Sequence, residues 1–179
     1  MQQLTRDQVA LHIDAEQQTL YSMVADVTRT PEWSPEVVAC RWIDGATGPA
    51  VGARFRARNK LRWFAWSNSP VVVTADPGRE FAFSRAERGG GELVWRYRFE
   101  PAETGTTVIE SYEVIRRVPM ALSWMLRLVL GVQDHRAHLK AGMHTSLLRL
   151  KDTAEPEVRD RHGQVPERPA PKPSAGQIA

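Results

Sequence analysis

Cysteine is almost absent from this chain. Cys40 is the only one in 179 residues, which excludes an intramolecular disulfide and any zinc site built on several thiolates. Also missing is an apolar run of the roughly 20 residues that cross a bilayer as a helix. The longest candidate, Met120 to Val132, is interrupted by Ser123, Arg127 and Gly131 and reads as a buried or interfacial helix, not a stable membrane anchor. The segment MQQLTRDQVALHIDAEQQ has neither the apolar stretch nor the small-residue cleavage site of a secretory signal, so a cytoplasmic location is expected. There is no dense run of one charge. The net charge is +3 and the sequence pI about 9.3, but the basic residues are spread along the chain, which argues only weakly for nucleic acid or an anionic membrane, and nucleic acid is not an expected partner. Cofactor fingerprints are lacking too. Gly89-Gly90-Gly91 has no phosphate-loop or dinucleotide-loop context and reads as a hairpin turn. His135 and His138 stand at i and i+3, but Asp134 is the nearest carboxylate and no HExxH pattern occurs, so neither a cofactor nor a metal is expected.

What is present is an ordinary globular composition, with 42% hydrophobic and 25% charged residues. Hydrophobic periodicity divides it. Gln8 to Asp14 alternates, with Val9, Leu11 and Ile13 on one side, as a half-buried strand does. Asp14 with Gln17 three residues later predicts a capped helix carrying Leu20, Tyr21, Met23, Val24 and Val27, and Thr30-Pro31 predicts the start of a second, short one. Strand patterns follow at Val37–Asp44, Ala53–Arg58, Leu61–Ala75 (one long strand with an irregularity at Pro70), Glu80–Arg85, Glu92–Glu100 and Thr106–Arg116. Short turns between them imply an antiparallel meander with one face buried. After Pro119 the period changes to about 3.6, and helix is predicted to Asp152 with a possible break at Gly131. The expected organisation is an extension over 1–7, one α+β domain over 8–152, and a disordered proline-rich tail over 153–179.

The order of these elements, the segment DVTRTPEWSPEVVACRW, the turn DPGREFAF and the ending AHLKAGMHTSLLRLKD together resemble the SRPBCC superfamily, also called START-like or Bet v 1-like. That superfamily includes the polyketide cyclase/dehydrase and lipid-transport group. The resemblance implies a helix-grip fold, in which a seven-stranded antiparallel sheet wraps around the long C-terminal helix and leaves a cavity between them. It implies an apolar small-molecule ligand, such as a lipid or polyketide. No motif shared across the superfamily fixes a chemistry, so no catalytic residue carries over.

Candidate site residues come from the pattern itself. Trp33, Trp42, Phe55, Trp66, Phe83, Trp95, Tyr97 and Tyr112 are large rings on or near strands, suited either to filling the core or to walling a pocket for a flat or acyl ligand. Trp33 either gates the mouth or staples the short helix. On the last helix His135, Leu139 and Met143 share a stripe, and His135 would be its polar group, while His138 and His144 read as exposed. Glu110 shares a strand face with Tyr112. If that face is inward, Glu110 is desolvated and becomes an acid/base candidate together with Tyr112 and His135. Arg54, Arg56 and Arg58 make a stripe that reads as a solvated outer face or as a contact for phosphate or an acidic partner. Gly142, inside a helix, implies close packing or room for a ligand.

Three functions follow: a carrier or sensor of an apolar molecule, a cofactor-free cyclase or dehydratase, and a regulatory interaction protein, working as a monomer or a homodimer.

Overall fold

The computed structural model describes residues 6–86, 91–116 and 135–163, with the backbone alone at 135 and 161–163. Strand β1 (Arg6–Ile13) alternates exposed and covered positions and turns Val9, Leu11 and Ile13 inward. Helix α1 (Gln17–Ala25) follows. The expected Asp14 capping box does not form: Glu16 is the N-cap and makes no side-chain bond, while Gln17 Nε2 donates to the Phe99 carbonyl at 2.7 Å and ties the helix to the sheet. The second helix is a 3₁₀ helix (Val27–Glu32) that begins ahead of Pro31, because the Asp26 carboxylate accepts from the Thr28 backbone N–H and caps it there.

The strands are β2 (Val37–Ile43), β3 (Arg54–Leu61), β4 (Phe64–Asn68), β5 (Val71–Asp76), β6 (Glu80–Ala86), β7 (Glu92–Pro101) and β8 (Thr106–Arg116), and helix α2 (His135–Gly163) closes the fold. Every pairing is antiparallel, in the order β1-β8-β7-β6-β5-β3-β2, with β4 paired to β3 off this path. The seven strands on the path form the curled sheet of a helix-grip fold. The predicted Leu61–Ala75 strand is two strands, because proline cannot donate to a ladder and Ser69-Pro70 breaks the run. As a result β3 and β4 form a hairpin in which β4 lies off the main path while β3 stays paired to β2 as far as Asn59.

Helix α2 lies across the concave face. Leu139, Met143, Leu147, Leu150 and Ala154 recur at spacings of three and four and so share one side; the last four are buried. Leu147, Leu150 and Ala154 join Ile13, Leu20, Phe81, Phe99 and Val108 in the main core.

The tail expectation is corrected here. Helix α2 does not end at Asp152; it continues through Pro156 to Gly163. A proline inside a helix costs about 3 kcal/mol, and the chain around it is held by partners that sequence periodicity does not reveal. Ala154 is completely buried and Val158 packs on the core. Glu155 accepts from the Asp14 backbone N–H at 3.1 Å, which together with Lys151 holds its carboxyl below the usual range. Arg29 forms ion pairs with both Glu32 and Glu157. The folded unit therefore reaches beyond 152. The predicted helix from Met120 to Leu130, the Gly131 break and residues 164–179 lie outside the described residues.

A chain ending at Asp152 is expected to be less stable than one ending at Gly163 by about 2 kcal/mol, mostly from apolar burial, since half-exposed ion pairs contribute less than about 1 kcal/mol. Thermal unfolding should show the midpoint falling by roughly 4–8 °C; equal midpoints would mean that the last three turns are not part of the cooperative unit.

Candidate functional site

A cavity of about 120 Å³ lies between the N-terminal half of α2 and the sheet, beside the cluster in which Met143 and Leu139 pack with Leu93, Trp95 and Tyr112. Its floor comes from the inward faces of β3, β6, β7 and β8, through Phe55, Phe81, Phe83, Trp95, Tyr97 and Glu110. Trp33 and residues 34–37 form one side, and His138, Leu139, Gly142, Met143 and Ser146 form the helical wall. At Gly142 a Cβ would meet no atom within 4 Å, so the residue leaves open space along the helix and is not there for close packing.

Glu110 is the chemically distinctive group. Strand β8 turns it inward beside Val108 and Tyr112, and it is 3% exposed. The Tyr97 hydroxyl, from the facing position on β7, donates to Glu110 Oε1 at 2.8 Å. Loss of hydration disfavours the charged form, and the single phenol bond offsets only part of this, so burial pushes the carboxyl up to about 8. Burial and the adjacent carboxyl likewise raise the Tyr97 phenol well above its ordinary value. At neutral pH Glu110 is therefore mostly a neutral acid. Its Oε2 is buried without a hydrogen-bond partner among the described residues, and the same holds for Trp95 Nε1 and both amide atoms of Asn68. All three residues lie in the cavity wall. Buried polar atoms are normally satisfied, so this wall is incomplete until water or a ligand meets it.

Other polar groups complete the lining. The Arg85 guanidinium carbon lies 6.0 Å from the centre of the Trp95 ring. His138, expected to be exposed, instead lines the cavity, with Nε2 2.8 Å from Glu36 Oε1. The helix brings it to the same side as Leu139 and Gly142, where residues 34–37 approach. Cys40 also lines the cavity, but burial pushes its thiol up to about 12, which leaves it without nucleophilic character at neutral pH.

Of the residues predicted from sequence, Trp33, Phe55, Phe83, Trp95, Tyr97, Glu110, Leu139 and Met143 meet at the cavity. Trp33 is 1% exposed, a wall and not a surface flap. Trp42, Trp66 and Tyr112 are absent from the lining. Trp42 packs edge-on against Phe55 at 5.8 Å, Tyr112 sits behind Trp95 at 5.6 Å, and Trp66 stacks on Phe64 in the β3–β4 hairpin. The side chain of His135 lies outside the described residues. Sequence reasoning missed Asn59, Asn68, Arg85 and Ser146, all in the lining. A signal for the first two existed, since asparagine is depleted in strands and these two interrupt otherwise strand-like runs.

Comparison with known proteins agrees with this architecture. The family model described as polyketide cyclase / dehydrase and lipid transport matches residues 4–155. No curated protein matches the chain. Among solved structures, the di-domain ARO/CYC protein StfQ from the steffimycin biosynthetic pathway superposes with a TM-score of 0.69 at 16% identity over 87% of this chain and 52% of that one. A START superfamily protein from Mycobacterium smegmatis gives 0.61 at 15% identity over 86% and 99%. A Polyketide_cyc-like protein from Corynebacterium glutamicum is 28% identical, with a TM-score of 0.52 over 90% and 97%.

The Glu110 carboxyl makes stability depend on pH in a definite direction. Its folded value of about 8 lies above the ordinary 4.5, so between these values the folded protein keeps a proton that the unfolded chain gives up. Stability from this source is complete below 4.5 and declines as pH rises towards 8, by up to about 1.4 kcal/mol per pH unit. Glu110→Gln removes that slope. Urea unfolding should show the variant gaining on the wild type by several kcal/mol between pH 5 and pH 9; a difference between the two proteins that stays constant with pH would rule out a desolvated carboxyl.

Proposed function

The chain belongs to the polyketide cyclase/dehydrase and lipid-transport family, and from that premise we propose that it binds an apolar small molecule, a lipid, polyketide or similar, in the cavity between the sheet and α2. The observation that carries this reading is a neutral, buried carboxyl set in a wall of aromatic rings. The rings supply area for an apolar skeleton, and Glu110 with Trp95 Nε1 and the Asn68 amide supply a few fixed points of polarity, the usual division of labour in a ligand pocket. A ligand bearing carbonyl or hydroxyl oxygens satisfies these atoms. A plain hydrocarbon leaves them unpaired, at about 1–3 kcal/mol for each group.

A second reading rests on the same carboxyl. An acid that titrates near 8 exchanges its proton readily around neutrality, which suits general acid/base catalysis. Glu110, steadied by Tyr97, would then protonate a carbonyl or accept a proton from an adjacent carbon in a cofactor-free cyclisation or dehydration. Carrier and catalyst differ in whether the ligand leaves chemically changed.

Gly142 provides the test. Gly142→Phe projects a ring into the open space beside the helix, and Gly142→Ala, which raises helix stability by about 1 kcal/mol, is the control. Native mass spectrometry of the purified wild type should show a retained small molecule, and an environment-sensitive naphthalene dye should bind with at least tenfold lower affinity to Gly142→Phe than to Gly142→Ala. Equal dye affinity in the two variants would remove the cavity as the binding site. For the catalytic reading, Glu110→Gln should retain the dye yet release a bound polyketide-type ligand unchanged.

A further inference from the structure

The β3–β4 hairpin has features that ligand binding in the cavity does not use. Arg54, Arg56, Arg58 and Lys60 all point outward from β3, Arg41 stands directly opposite Arg56 on β2, and Arg62 occupies the turn between β3 and β4. Arg54 is paired to Asp44 at 3.3 Å. Among the described residues no salt bridge reaches Arg41, Arg56, Arg58, Lys60 or Arg62. Like charges directly across a strand pair are destabilising, so the sheet holds this surface at a cost to its own stability.

The tip of the same hairpin is apolar. Leu61 pairs with Phe64 across the turn, and Trp63, at the turn, is 75% exposed. Phe64 lies between the rings of Trp63 and Trp66, with centroids 6.3 and 5.6 Å away. Arg62 takes a positive φ of 54°, a conformation that glycine would adopt without strain. Strand β2 flanks β3 as far as Asn59, and the Lys60 N–H donates to the Glu36 carbonyl at 2.8 Å, so the part of the hairpin beyond this pairing is the Leu61–Phe64 turn.

We propose that this hairpin docks on an anionic membrane surface, with Trp63, Leu61 and Phe64 entering the headgroup boundary and Arg58, Lys60 and Arg62 resting among the lipid phosphates and carboxylates. Tryptophan prefers the interface between water and hydrocarbon, and arginine and lysine beside it add electrostatic attraction to anionic lipid. Arg56 and Arg41 stand further back, at about the distance over which charges are still felt through physiological salt. An apolar turn with an exposed indole beside the cations favours a bilayer over single-stranded nucleic acid, which is held in a basic groove that follows the strand. The hairpin base carries Asn59 and Asn68, both cavity-lining, so docking would set the cavity beside the membrane. No described helix is long and apolar enough to cross a membrane, and the contact proposed is peripheral. It stands whether or not the cavity reading holds, because vesicle binding requires no cavity ligand.

Co-sedimentation of the full chain with phosphatidylcholine vesicles, with and without about one third phosphatidylserine, tests it. Binding is expected to the anionic vesicles alone and to be lost at high salt. Trp63→Ala should weaken it about fivefold or more, and Lys60→Glu with Arg62→Glu more than tenfold, with unchanged thermal midpoints. Arg149→Glu, exposed on α2, should have no effect. Arg62→Glu alone serves if the double variant does not fold. The proposal is overturned by equal binding to neutral vesicles, by hairpin variants that bind as the wild type does, or by a single-stranded oligonucleotide that displaces the vesicles at equal phosphate concentration.

Discussion

Everything in this structure depends on how one apolar stripe of α2 is divided. Its lower part, Leu147, Leu150 and Ala154, is in direct contact with the core, and each of these residues is completely buried. The upper part, around His138, Leu139 and Gly142, faces a cavity. A helix is stiff, so anchoring one end fixes the height of the other above the sheet. The anchors cluster at the lower end: Glu155 on the Asp14 backbone, Glu157 on Arg29, and the Lys151 ammonium donating to the His12 carbonyl at 3.2 Å. At the upper end the ties are His138 with Glu36 and Arg136 with Asp7, which join α2 to the segment after the 3₁₀ helix and to β1. The helix is thus held at both ends, and the cavity opens where its His138–Gly142 side faces the sheet between those ties.

Folding stability and site chemistry oppose each other inside that cavity. A leucine at 110 would suit the surrounding burial, whereas the carboxyl loses hydration and regains a single hydrogen bond from Tyr97. Proteins keep such groups where they serve a purpose, and strongly shifted carboxyls cluster at functional sites. The helix anchors and the packed lower core provide the stability that permits this. Glu110 is also screened from bulk solvent, since Tyr97 faces it across the strand pair and Met143 lines the same cavity from the helix.

Much of this was legible in the sequence because it depends on period. The alternation in β1 and β7, and the three-four spacing of Leu139, Met143, Leu147 and Leu150, required no knowledge of tertiary structure. The inward face of β8 was ambiguous, since Ile109 on one side and Val108 on the other are both apolar, and both prove buried. What failed depended on partners distant in sequence. Residues 153–179 looked like a disordered tail because the partners that hold Glu155 and Glu157, the Asp14 backbone and Arg29, are more than a hundred positions earlier. His138 was assigned to the solvent because helical phase cannot show that residues 34–37 come to meet it. Trp42, Trp66 and Tyr112 have the composition of pocket rings, but ring type alone does not separate a wall from what stands behind it.

That second rank of rings has its own role. Trp42 abuts Phe55, Phe55 meets Phe83 at 5.2 Å, and Phe83 contacts Phe81 at 6.1 Å, so a chain of rings crosses β2, β3 and β6. Edge-to-face contacts of this kind favour specific ring angles beyond the area they bury. Phe55, Phe81 and Phe83 line the cavity and steady one another, and Phe55 is backed by Trp42, which does not line it. Tyr112 does the same for Trp95 from the next strand. A wall backed in this way is preformed, so a ligand of the kind proposed would spend less of its binding energy on ordering the protein. The rings absent from the cavity are therefore part of what gives it a fixed shape.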